Sequence, residues 1–167
     1  GWWGNLLKKG IVFVFAALFS FLLPSCEMAD WLAVRNAETV YCREGITITA
    51  QYKEKTLFCD AGLLLAVYNH TGRELAVRCR GLWVNGHRIE PAFGCEVPGW
   101  RQKCAEIRLS EEGLKERGIA CVKTLAFVLE MVDARTGKWA DQTEKITLLS
   151  PEKEGQAAEV AALPKIC

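Results

Sequence analysis

Apart from Ser20, every position from Ile11 to Leu23 is apolar, whereas beyond Ile46 the apolar residues recur at every second position in short stretches. The two patterns predict different elements. A continuous run is a helix in an apolar solvent, and a period of two is a strand with one face buried. Ile46–Tyr52 alternates and is rich in β-branched residues, so it is expected to be the first strand of the domain. Gly62–Tyr68 is apolar throughout and reads as a buried strand. Asn69-His70-Thr71-Gly72 then supplies turn chemistry. The chain is expected to return as a hairpin through Glu74–Val84, with Leu75, Val77 and Cys79 on the core face and Arg78 and Arg80 opposite. Asn85-Gly86 between apolar residues predicts a second hairpin into Ile89.

Farther on, Ala105, Ile107 and Leu109 share one strand face. Ser110 followed by Glu111 and Glu112 predicts a capped helical turn that closes at Arg117-Gly118. A long strand from Cys121 to Val132 turns Leu125, Phe127, Leu129 and Met131 inward, and a last strand runs from Lys145 to Leu149. This succession is all-β. It predicts an immunoglobulin-like antiparallel β-sandwich with one short helical connection, a small barrel being the alternative. Residues 27–44 read as a linker, 45–150 as the domain and 151–167 as a tail.

The N-terminal run is preceded by Lys8-Lys9 and followed by Pro24-Ser25-Cys26. A cationic start, an apolar centre and a small-residue end make residues 1–26 a signal peptide or an N-terminal hydrophobic anchor helix. Thirteen helical residues cover only about 20 Å of a hydrocarbon layer about 30 Å thick, which favours a processed signal. Leu23-Pro24-Ser25-Cys26 resembles a bacterial lipobox, in which the cysteine is lipidated; Pro24 departs from the small residue such motifs carry. Cys26 is therefore the candidate lipidation site. The expected location is the extracytoplasmic face of the cell membrane.

Charge and cysteine content narrow the chemistry. Lys and Arg number 21 against 20 Asp and Glu, so no strong field steers nucleic acid to the chain. Eight cysteines and two histidines contain no Cys-x-x-Cys, so the close ligand pairs of a zinc site are missing. Neither a metal nor a cofactor is expected. The cysteines read as small core residues or disulfide partners of undetermined connectivity. His70 and His87 fall in predicted turns without a neighbouring nucleophile, and Glu111-Glu112 is accounted for by the helix start. Asn69-His70-Thr71 formally matches a glycosylation acceptor but reads as a turn.

Leu-Ala-Val-Tyr-Asn-His-Thr-Gly-Arg-Glu-Leu at 65–75, Leu-Trp-Val-Asn-Gly at 82–86, Pro91-Ala92-Phe93 and the capped turn at 110–119 resemble immunoglobulin-like domains of unknown function in lipoproteins or membrane-tethered proteins of Gram-positive gut bacteria. The resemblance spans roughly residues 45–150. It implies the sandwich fold and brings no catalytic residues.

Loop aromatics are the remaining chemistry. Trp100, with Arg101 beside it, and Trp83 are the candidate ligand-binding residues, while Trp139 is expected to cap the core. The expected function is a non-catalytic, membrane-tethered interaction module whose partner is an envelope protein or a glycan. A carbohydrate-binding module using the loop tryptophans and a thiol-redox protein are the alternatives.

Overall fold

The computed structural model describes residues 37–149. The apolar segment and Cys26 lie outside the described residues, as does the tail at 151–167. Within them the strands are β1 (Glu38–Arg43), β2 (Ile46–Lys53), β3 (Ala61–Asn69), β4 (Leu75–Val84), β5 (His87–Ile89), β6 (Gly94–Val97), β7 (Gln102–Leu109), β8 (Leu125–Asp133), β9 (Ala140–Gln142) and β10 (Ile146–Leu149), and the helix α1 is Glu111–Glu116.

The strands form two antiparallel sheets. One has the order β1-β2-β3-β7, and the other runs β10-β8-β4-β5, with β6 also on β4 and β9 also on β8. Both sheets contribute to the main core. Ile46, Ile48, Leu63, Leu65 and Val67 of the first join Leu75, Val77, Leu82, Val84 and the β8 residues Leu125, Phe127, Leu129 and Met131 of the second. These side chains recur every two residues because successive Cβ atoms point to opposite faces. The inward assignments for β8 and for Ile107 and Leu109 hold, and all four β8 residues are fully buried. Cys79 is only half-buried at the rim of the core, its thiol donating to the Gly81 carbonyl at 3.3 Å.

Three expectations change. Glu38–Arg43, read as linker, is a strand paired with β2. Its apolar positions, Val40 and Tyr41, are too few to announce a period. β3 and β4 do not form a hairpin: β3 pairs with β2 and β7, while β4 pairs with β5, β6 and β8. Turn residues specify that the chain reverses, not which strand it joins. Here the segment after Asn69 crosses between sheets. β8 starts at Leu125 rather than Cys121, because the Asn85 side chain holds the preceding residues outside the ladder. Its amide donates to Cys121 O at 2.7 Å, and its carbonyl oxygen accepts from Lys123 N and Thr124 N at 2.8 and 3.0 Å. β6, too short to show alternation, is a further strand that the sequence pattern missed.

The Asn85-Gly86 hairpin is as expected, with φ of 50° and 81° at the two turn residues, the left-handed pair that matches strand twist. α1 also follows its signals, since Ser110 Oγ accepts from Gly113 N at 3.2 Å. On the outer side of the first sheet Lys53 donates to Glu106 at 2.8 Å. Gly62 leaves room for that carboxylate, which would stand 2.6 Å from a Cβ there.

Phe127 lies among side chains of both sheets and is fully buried. Phe127→Ala is expected to lower the unfolding free energy by about 4 kcal/mol, read from the shift of the urea midpoint at constant slope. A loss below about 1 kcal/mol would show that the sheets do not close around this ring.

Candidate functional site

One end of the domain is organised by a single buried carboxamide. Asn69, the last residue of β3, is 1% exposed. Its Nδ2 donates to the carbonyls of Arg73, Val97 and Pro98 at 2.8, 3.2 and 3.1 Å. Its Oδ1 accepts from the Thr71 amide at 3.1 Å and the Thr71 hydroxyl at 2.6 Å. The side chain thereby ties the β3–β4 connection to the end of β6 and the residue that follows it. The formal glycosylation motif is thus a buried structural knot, with its amide nitrogen fully engaged.

Three loops converge on this knot. His70 N donates to Gly45 O at 2.8 Å, Asn69 N to Arg101 O at 2.9 Å and Trp100 N to Thr71 O at 3.0 Å. Gly99 packs backbone to backbone on the 71–72 turn, where a Cβ would stand 3.0 Å from Thr71 O and Gly72 O. The next residue is Trp100, with φ of 60° and a side chain left 72% exposed. A left-handed tryptophan is an uncommon conformation that its surroundings must hold. Trp100, Arg101 and His70 border a pocket of about 340 Å³ together with Tyr68, Asn69 and Gln102.

A second aromatic group lies at the same end. Trp139 Nε1 donates to Glu44 Oε2 at 2.8 Å, Arg73 Nη1 reaches that oxygen at 3.4 Å, and the Arg73 guanidinium sits 5.0 Å from the centroid of the Trp139 ring. Trp139 packs against the core rim as expected of a cap. Nearby, Tyr41 on β1 donates to Asp141 on β9 at 2.6 Å and so links edges of the two sheets. Burial, followed by this bond, pushes the Tyr41 phenol well above its usual range, and the same bond holds the Asp141 carboxyl low.

Trp83 is not part of this site. It lies on the outer face of β4 toward the other end, opposite Arg88 and Ala126. Its ring covers Gly81, and Lys145 Nζ stands 4.2 Å from its centroid. Trp100 and Arg101 are therefore brought together, while Trp83 serves a separate cation-bearing sheet face.

The opposite end holds α1 and an apolar cavity of about 470 Å³, lined in part by Tyr52, Ala61, Leu109, Leu114, Ile119 and Val122. Glu111 lies at its rim with Lys115 at 2.7 Å and Lys55 at 2.6 Å. Hydrogen bonds from Lys115 and then Lys55 lower its carboxyl from 4.5 to about 2. The sequence offered no signal for this cavity, since its walls come from separate elements.

Cys42 is disulfide-bonded. Cys79 and Cys95 are free thiols whose pKa burial raises, which makes them poor nucleophiles. Cys59 and Cys121 are exposed. Among the described residues no group of three or more His, Cys, Asp or Glu is placed to hold a metal ion, and no helix is long and apolar enough to cross a membrane.

Two outcomes follow from this geometry. Asn69→Ala should lower stability by about 3 kcal/mol, because carbonyls and an amide lose their buried partner, and should speed hydrogen exchange at the Trp100 amide. Unchanged exchange would show that Trp100 is held independently. In an NMR titration the Glu111 carboxyl should show its midpoint near 2 rather than 4.5. Its pairing then favours the fold above pH 4.5 and is lost as pH falls toward 2; a midpoint at 4.5 would mean the lysine pairs do not persist.

No protein-family model and no curated protein matches the chain. Among solved structures it is similar to the X-ray structure of Northeast Structural Genomics Consortium target SoR45, at 10% identity and a TM-score of 0.36, over 76% of this chain and 98% of that one. At that distance the likeness carries no argument.

Proposed function

We propose that the chain is an exported, membrane-tethered β-sandwich of immunoglobulin-like type, acting as a non-catalytic binding module in the cell envelope. The observation that carries the reading is Trp100: a large ring left 72% exposed on a backbone with φ of 60°. Its backbone is fastened to the Asn69 knot, so its rigid backbone loses little freedom when a ligand arrives. Rigid aromatic anchors with a neighbouring arginine are the residues that dominate binding energy at interfaces.

Two further observations support it. The pocket beside Trp100 contains His70 but no thiol or serine among its lining residues, so a nucleophile–base pair has no basis there. β10 ends at Leu149 beside Leu125, and β1 begins at Glu38 opposite Ala50. Both ends of the described chain thus lie toward the α1 end, leaving the Trp100 end to face away from a tether. A glycan is the second ligand class, favoured by the open indole face.

Pull-downs from envelope extracts and a glycan array with the parent chain and Trp100→Ala test the proposal. Retention of a ligand is expected to fall tenfold or more in the variant. Absence of any retained envelope protein or glycan would overturn the binding role, and full retention by Trp100→Ala would remove Trp100 from it.

A further inference from the structure

Leu57 and Phe58 are 90% and 91% exposed, adjacent in sequence, and sit in the connection between β2 and β3. Their turn is closed by its own backbone: Thr56 N donates to Cys59 O at 2.9 Å, and Cys59 N donates to Thr56 Oγ1 at 3.1 Å. The two largest apolar side chains of the loop therefore stand together at a braced tip. Nothing in the Trp100 site uses them, since they lie at the opposite end of the domain.

The chain's path says what they face. Glu38 pairs with Ala50, three residues before β2 ends at Lys53, where this loop departs. Leu148 and Leu149 border the same groove as Tyr52, Glu54 and Thr56. Eleven residue steps separate Cys26 from Ala37, which span at most about 40 Å when fully extended. A chain held at Cys26 therefore keeps Ala37, at this end of the domain, within about 40 Å of the bilayer.

We propose that the Leu57–Phe58 tip is a second membrane contact, inserting into the headgroup–acyl boundary of the bilayer that holds the N-terminal segment. The proposal rests on the tethered reading above. Two side chains are too few for a stable protein interface, which buries many residues on each side. They are enough when a tether supplies a high local concentration of the surface, and an apolar tip enters only shallowly. The neighbouring cations are already paired, Lys53 with Glu106 at 2.8 Å and Lys55 with Glu111 at 2.6 Å. The contact is therefore apolar and insensitive to salt.

The test uses the full chain in nanodiscs of phosphatidylglycerol and phosphatidylethanolamine, with methyl-labelled leucine and a spin label on the acyl chains. The Leu57 methyl signals are expected to broaden several-fold more than those of Leu75 at the Trp100 end, at low and high salt alike. Phe58→Ser should return Leu57 to the Leu75 level while leaving the Leu75 shifts unchanged. A chain that stays in the disc with Leu57 no broader than Leu75 overturns the contact and leaves the tether standing. A chain recovered outside the disc overturns both. Concentration-dependent Leu57 shifts without lipid would assign the tip to a second copy of the chain and overturn the membrane contact.

Discussion

The structure depends on how the chain passes from one sheet to the other. β3 ends in the first sheet and β4 begins in the second, so the connecting backbone leaves both ladders inside a crowded end of the domain. Polar groups stranded there without partners would each cost on the order of 1–3 kcal/mol. The Asn69 carboxamide removes that cost by donating to three carbonyls and accepting twice from Thr71. Its backbone amide also holds Arg101 O. One residue thus fixes, through its side chain and its backbone amide, the crossover, the start of β7 and the loop that carries Trp100.

This arrangement couples folding to the candidate site. Trp100 is exposed, yet its amide bond to Thr71 O and the close approach of Gly99 to Gly72 tie it to the turn that the buried Asn69 side chain holds. Exposure and immobility usually oppose one another, because side chains outside the core gain rotamer freedom. Fastening the backbone rather than the ring keeps an aromatic surface open without letting its loop wander. The other end of the domain has a different character: an apolar cavity, a short capped helix with a lysine-paired Glu111, and an apolar loop tip. In the proposed picture the two ends divide the work, one turned toward the bilayer and the other toward a ligand.

Much of the fold was legible because strand alternation is a local property. The inward faces of β7 and β8 follow from period two, Asn85-Gly86 from the left-handed turn and α1 from Ser110 and its acidic first turn. The misses share a physical cause. β1 and β6 are short, and β1 has too few apolar positions for a period to emerge. The expected β3–β4 hairpin failed because the chain crosses to the other sheet after Asn69, whose side chain there meets carbonyls 28 and 29 residues away, which no local pattern reveals. Within the candidate site Trp100 and Arg101 were found from loop composition. Trp83 was not separable from them, since whether a tryptophan borders a ligand loop or lies over Gly81 depends on its sheet.

By itself the sequence determined the all-β class, the inward residues of the long strands, the capped turn and the neutral charge balance, because each is written in side-chain period, cap chemistry or composition. Only the tertiary structure decided which strands became neighbours, that Asn69 is buried rather than exposed in a turn, that Glu44, Arg73 and Trp139 meet, and that Leu57 and Phe58 stay outside the core. Those outcomes are set by contacts between residues far apart in the chain. Their partners are chosen when two sheets close on one core, not by any residue's immediate neighbours.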